Sequence, residues 1–275
     1  MTVQSVLTHG IRALQTAGID GAARDARLLM AGALGIDVSR LTLALHDDID
    51  PPCQDRFDAF IAQRLLHRPV SRILGTRLFW GRSFHITDDV LDPRGDTETL
   101  IAAALEHAGD RILDLGTGSG VIAITMAAER PTAKVVASDI SKSALDVAQK
   151  NARDLGVADR LSFVQGSWFD AVTGRFDLIL SNPPYISDAE MRDLAPEVLG
   201  YDPHIALTPG GDGLDPYRII ARHAPDVLTP QGAVIVEIGH AQAADVTQIF
   251  KGAGFSKLRV HTDFEQKDRV ITAKM

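Results

Sequence analysis

The chain has 275 residues, 45% hydrophobic and 23% charged, enough apolar residue for one large or two unequal domains. Its formal charge of −8 argues against the basic face that grips nucleic-acid phosphates, so free nucleic acid is not expected as a partner. A lone cysteine, Cys53, excludes an intramolecular disulfide and any multi-cysteine metal site.

The opening segment MTVQSVLTHGIRALQTAG breaks its apolar residues with polar ones every turn. It therefore reads as neither a secretory signal nor a membrane span, and the cytoplasm is the expected compartment. From Val3 to Arg68 the pattern is helical. Val3, Val6, Leu7, Ile11 and Leu14 recur at three- and four-residue steps, and Phe57, Phe60, Ile61 and Leu65 repeat the pattern. Asp20 and Ser39 are candidate N-caps, Gly35 is a candidate C-cap, and Asp50 precedes a helix whose first turn holds Pro51 and Pro52. About four short helices in a bundle follow, over residues 1–75. This segment carries 8 arginines, no lysine and 8 aspartates, which leaves the acidic excess to the rest of the chain.

After Pro69 the texture changes to LFWGRSFHITDDVLDPR, where aromatic and β-branched residues flank Gly81 as in a hairpin. Residues 76–92 are expected to connect two domains. From Pro93 to the end, apolar runs alternate with helical stretches: RILDLG, KVVASD, LSFVQG, FDLILSN and AVIVEIG, with helices between them. That is the signature of an α/β fold with a parallel sheet covered on both faces. The last two runs, KLRVHTD and DRVITAKM, lie too close together for a helical crossover and should form an antiparallel edge hairpin, making seven strands. Residues 93–275 are thus expected to form a Rossmann-like catalytic domain.

Two motifs fall at strand ends. The first is Asp114-Leu115-Gly116-Thr117-Gly118-Ser119-Gly120, a glycine-rich turn between a strand and a helix. A dinucleotide fingerprint would place its third glycine or alanine where Val121 stands. The spacing instead resembles motif I of the S-adenosylmethionine methyltransferases, which implies that Asp114 and the turn hold the methionine portion of the donor. Asp139 ends the next strand, where such folds place the carboxylate that receives the ribose hydroxyls. It could also cap the helix beginning near Ser141.

The second motif is Asn182-Pro183-Pro184-Tyr185, directly after FDLILS. An amide or aromatic NH2 is a poor nucleophile until its lone pair is turned toward the electrophile. The Asn182 side-chain oxygen and the Pro183 carbonyl can each accept one N–H and favour pyramidalisation, while Tyr185 offers a flat face or a hydroxyl. An aspartate at 182 keeps an acceptor oxygen and should be milder than alanine. No general base is evident, so the proton is expected to leave to solvent. Such a tetrapeptide serves adenine in DNA as well as glutamine in proteins.

Over nearly its full length the chain resembles the release-factor glutamine methyltransferases. The resemblance rests on Arg68-Pro69-Val70 with Gly75, Phe79-Trp80-Gly81, Pro93-Arg94 with Asp96-Thr97-Glu98, DLGTGSG, Gly166-Ser167-Trp168-Phe169, SNPPYI, Gly211 to Asp215, EIGH and DRV. It implies methylation of the glutamine in the Gly-Gly-Gln loop of class I peptide chain release factors, with S-adenosyl-L-homocysteine as product. It further implies that Gly116, Thr117, Gly118, Ser119, Gly120, Asp139, Trp168 and Asn182 contact the cofactor and that Asn182, Pro183, Pro184 and Tyr185 bind glutamine. No metal is expected, and the chain is expected to act as a monomer. Gly95 stands where the family usually has proline, and Asp92 where it has an apolar residue, which leaves Arg94 and Glu98 without assigned roles. A sister family acting on a large-subunit ribosomal protein shares most motifs but lacks the Asp-Thr-Glu run.

Overall fold

In the computed structural model, which describes residues 1–275, the helical pattern of the first segment becomes α1 (Val3–Thr16), α2 (Ala22–Leu34), α3 (Leu41–Ala44), α4 (Pro51–Leu65) and α5 (Val70–Leu74). Their apolar stripes meet in a core containing Leu7, Leu14, Leu29, Met30, Phe57 and Ile61. Burial of each such side chain contributes about 1.5 to 3 kcal/mol. Gly10 lets α1 and α4 approach closely, since a Cβ there would lie 2.6 Å from the Phe57 ring.

Two expected caps are displaced. The residue before α2 is Gly21, at φ 71°, not Asp20, and a short 3-10 turn, Val38–Arg40, is capped by Asp37, which accepts the Ser39 N–H at 2.8 Å. In both cases the helical turn starts one or two residues from the position that residue preference favours, because a left-handed glycine or a neighbouring carboxylate supplies the entry instead. Gly35, at φ 67°, closes α2 as expected, and Asp50 precedes Pro51 without a side-chain cap bond.

After these helices the chain runs through β1 (Thr76–Phe79) and β2 (Arg82–His85), then α6 (Thr97–Leu105), β3 (Arg111–Leu115), α7 (Val121–Glu129), β4 (Lys134–Asp139) and α8 (Lys142–Asp154). Next come β5 (Leu161–Gln165), β6 (Phe176–Ser181), α9 (Pro196–Tyr201), α10 (His204–Leu207) and α11 (Asp215–Val227), then β7 (Leu228–Glu237), α12 (Ala243–Gly252), β8 (Lys257–Thr262) and β9 (Asp268–Lys274). Residues 1–76 with 195–201 form one compact unit, and 77–194 with 202–275 the other. α9 belongs with the helices: buried Arg64 donates to Asp25 at 2.8 Å and to Glu197 at 2.6 Å, and the Tyr201 hydroxyl donates to the Leu66 carbonyl at 2.9 Å.

The hairpin turns at Trp80 (φ 48°) and Gly81 (φ 71°) and is built into the second unit. Phe79 meets Phe84 edge to face at 6.2 Å inside the core shared with Leu100 and Ile122. Asn151 of α8 clamps it from both sides, accepting from the His85 N–H at 2.7 Å and donating to the His85 carbonyl at 3.0 Å.

The seven-stranded sheet runs in the order β5-β4-β3-β6-β7-β9-β8. Strands β3 to β7 are parallel, and β9 is antiparallel to both β7 and β8, which is the reversed edge hairpin expected from the short connection. The order reverses between β3 and β6, so the carboxyl ends of these two neighbours open a crevice where an α/β sheet binds its ligand.

Candidate active site

The turn after β3 is held by backbone bonds. The N–H groups of Gly116 and Thr117 both donate to the Ser138 carbonyl at 2.9 Å, and Gly120 N–H returns to the Thr117 carbonyl at 2.8 Å. Gly116, Gly118 and Gly120 have φ of 70°, 54° and 85°, and a Cβ at Gly120 would come within 2.8 Å of Ile124, so glycine is required there for conformation and for space. Asp114 lies beneath the turn, fully buried, accepting from the Thr117 hydroxyl at 2.6 Å and the Ala123 N–H at 3.2 Å. Burial pushes its carboxyl up to about 7, and its other oxygen has no partner.

Asp139 accepts the Gly118 N–H and the Ser141 N–H, each at 2.9 Å, and burial raises its pKa. The side chain that caps α8 is Ser141, which accepts the Ala144 N–H at 3.2 Å. A cavity of about 360 Å³ opens beside these groups, lined by Gly116, Gly118, Asp139, Trp168, Asn182 and Pro184 among others. Trp168, at φ 48°, packs on the core and lines the cavity.

Ser181 at the end of β6 donates its hydroxyl to the Leu115 carbonyl at 2.8 Å, tying the two motif-bearing strands together. Asn182 follows, and its Nδ2 donates to the Thr97 hydroxyl at 3.1 Å. Thr97 in turn donates to Glu237 Oε2 at 2.6 Å. Tyr185 reaches toward Glu237 Oε1 at 3.5 Å, and burial together with the neighbouring Glu237 charge pushes its phenol up. Glu237 is fully buried at the end of β7, its carboxyl pushed up to about 7 by burial. Asn182, Pro183, Tyr185, Arg94 and Glu237 line a second, smaller hollow beside the first cavity. No group of three or more His, Cys, Asp or Glu could hold a metal ion, and no helix is long and apolar enough to cross a membrane.

Residues 89–214 match the methyltransferase small domain family and residues 5–75 match the PrmC N-terminal domain. The release factor glutamine methyltransferase of Cereibacter sphaeroides is 51% identical over 275 residues, covering 100% of this chain and 99% of its own. The chain belongs to the release factor glutamine methyltransferases. Their member from Rhodospirillum rubrum is 44% identical over 272 residues, spanning 98% of this chain and 84% of its own. In fold, a methyltransferase from Pyrococcus furiosus is similar with a TM-score of 0.54 at 20% identity, over 71% of this chain and 90% of that one. The chain is therefore an enzyme with the fold of S-adenosylmethionine-dependent methyltransferases.

Within this methyltransferase, Gly116, Gly118, Asp139, Trp168, Asn182 and Pro184 share the larger cavity, while Asp114, Thr117 and Ser119 are buried behind the turn. Glu98 accepts the Trp80 N–H at 2.9 Å and so holds the hairpin turn. Asp96 precedes α6 without a cap bond and pairs with Arg269 at 3.2 Å. Arg94 lines the smaller hollow, 4.0 Å from Asp202. A Cβ at Gly95 would meet open space, so the residue's departure from proline leaves no gap in packing. Sequence reasoning missed Thr97 and Glu237 as parts of the site. The available signal was a carboxylate inside AVIVEIG, an otherwise apolar strand.

Proposed function

We propose that this enzyme transfers a methyl group from S-adenosyl-L-methionine to the side-chain nitrogen N5 of the glutamine in the Gly-Gly-Gln loop of class I release factors, leaving S-adenosyl-L-homocysteine. The observation that carries this reading is that Asn182 lines both cavities: the one bounded by Gly116, Asp139 and Trp168, and the one bounded by Pro183, Tyr185 and Glu237. A donor in the first and a planar amide in the second meet at that residue.

The first cavity suits the donor chemically. Asp139 is fixed by two N–H bonds and retains lone pairs for a ribose diol, Trp168 supplies an aromatic wall, and the glycines keep the backbone open to the ligand. When bound, S-adenosylmethionine supplies an electrophilic methyl on a cationic sulfonium. The Asn182 NH2 is engaged by Thr97, so its amide oxygen is the group available to accept one N–H of glutamine. With the Pro183 carbonyl accepting the other, the nitrogen lone pair is directed out of the amide plane, an interaction that strengthens as the nitrogen pyramidalises. The raised phenol of Tyr185 stays protonated and acts as a neutral wall and donor rather than a base. The proton released from nitrogen goes to solvent.

Residues 1–75 carry no cofactor motif, and we assign them to docking the folded protein substrate. The deciding experiment offers methyl-labelled S-adenosylmethionine with intact release factor, a large-subunit ribosomal protein or DNA. Label in the Gly-Gly-Gln peptide is the expected outcome, and label in DNA or only in the ribosomal protein overturns the substrate assignment.

A further inference from the structure

Two buried polar side chains stand behind the Asn182 carboxamide. Thr97, 2% exposed, opens α6, and Glu237, fully buried, ends β7 between apolar neighbours Val236 and Ile238. A carboxylate buried among apolar strands costs stability, and it persists where it organises something else.

The bonds around it define a direction. Glu237 Oε2 takes the Thr97 hydroxyl proton at 2.6 Å, and a hydroxyl has one proton to give. The Thr97 oxygen can therefore only accept from its other neighbour, the Asn182 carboxamide, whose Nδ2 lies 3.1 Å away. The opposite flip of that carboxamide would set two lone pairs against each other. We infer that Glu237 and Thr97 form a positioning relay that locks the flip of the Asn182 carboxamide, so that its oxygen and not its NH2 faces the methyl acceptor. The relay rests on the reading of Asn182 as the group that binds the glutamine amide.

The surroundings of Glu237 hold the relay in place without replacing it. The Tyr217 hydroxyl donates to the Glu237 backbone carbonyl at 2.9 Å and leaves the carboxylate free for Thr97, while Tyr185 stands at 3.5 Å from the second oxygen. Burial pushes the Glu237 carboxyl up to about 7, and the Thr97 bond with Arg94 and Arg269, against Asp96, pulls back toward the ionised carboxylate that the direction requires.

The test compares Thr97→Val, Thr97→Ser, Glu237→Gln and Asn182→Ala in the full-length enzyme, with single-turnover rates on intact release factor, calorimetric affinity for S-adenosylmethionine and thermal unfolding of each. Thr97→Val keeps shape and removes the hydroxyl. It should lower the rate about tenfold to a hundredfold, with cofactor affinity and KM for release factor within about twofold, as a misoriented catalytic group would. Thr97→Ser should restore most of the rate. Glu237→Gln can present either an oxygen or an NH2 to Thr97, so the flip is no longer set and the rate should fall several-fold, which keeps the relay open to test even where the valine variant is poorly folded. A wild-type rate in folded Thr97→Val or Glu237→Gln overturns the relay, as does a loss of cofactor affinity that matches the loss of rate. Asn182→Ala separates the two levels. If it is inactive while Thr97→Val is fully active, only the relay fails; if it too is fully active, the reading of Asn182 fails first.

Discussion

The Gly118 N–H donates to Asp139 Oδ2 at 2.9 Å, joining the turn after β3 to the carboxylate that ends β4. The same carboxylate that would receive a ribose diol therefore fixes the loop beneath it. Asp139→Ala removes both functions and should weaken S-adenosylmethionine binding by about 1.5 to 3 kcal/mol, the range for charge-assisted hydrogen bonds. Because Ser141 caps α8 with its own hydroxyl, the helix should survive the change, and circular dichroism should match the wild type. Calorimetric affinity equal to that of the wild type in a folded variant would reduce Asp139 to a loop anchor.

Arg64 offers a test of the helical unit. Its guanidinium is buried between Asp25 and Glu197, and removing it leaves Asp25, itself largely buried, without its cation. Arg64→Ala should lower stability by about 3 to 5 kcal/mol, the range for breaking one side of a buried pair. Limited proteolysis should then cut near 195–201 before other sites. If cleavage there is no faster than in the wild type, the pair does not hold α9 to the helices.

Glu237 links stability to pH in a definite direction. Its carboxyl titrates at about 7 in the folded protein against an ordinary 4.5, so folding takes up a proton. The stabilisation is full at acid pH, below the ordinary value, and is lost as pH rises through about 7. Glu237→Gln cannot titrate. Between about pH 4 and pH 8 the difference in unfolding free energy should shift in favour of the variant by about 3 kcal/mol, which urea titrations of both proteins would read. A constant difference across that range would mean that folding leaves the Glu237 carboxyl at its ordinary value. The ionised state that disfavours folding is the one that accepts the Thr97 proton, a local conflict of the kind found at functional sites.

The parallel strands β3 to β7 were legible because each is a short apolar run ending in a glycine, a carboxylate or Asn-Pro-Pro, and a buried parallel sheet needs little else to declare itself. The edge hairpin was legible from the few residues between Thr262 and Asp268. What escaped was set by side chains meeting across long separations. Thr97 and Glu237 are 140 residues apart, and no local spacing relates them. Glu98 reads as a first-turn helix acid, yet its bond goes to Trp80 in the hairpin. The join of α9 to the helical unit depends on Arg64, which in sequence is one of two arginines on α4.

Asn182 carries the prediction on which the proposed chemistry depends. Asn182→Ala removes the acceptor oxygen without touching Asp139 or the glycine turn, so S-adenosylmethionine affinity should stay within about threefold while methylation of release factor falls about a hundredfold to a thousandfold, the cost of losing one preorganised transition-state group. Sequence alone made aspartate the milder replacement, since it keeps an acceptor oxygen. Thr97 changes that expectation: its proton is committed to Glu237, so a carboxylate at 182 would face the Thr97 oxygen with no donor between them. Asn182→Asp should therefore turn away from its wild-type orientation and fall close to alanine at neutral pH. Joint replacement of Asn182 by Asp and Thr97 by Val removes the opposing lone pairs and should recover part of the rate lost in Asn182→Asp alone. Mass spectrometry of the Gly-Gly-Gln peptide, followed as one added methyl group over time, measures all three. An Asn182→Ala enzyme that methylates at the wild-type rate would end the catalytic reading of Asn-Pro-Pro-Tyr. A double variant no better than Asn182→Asp would show that lone-pair opposition at Thr97 is not what limits the aspartate.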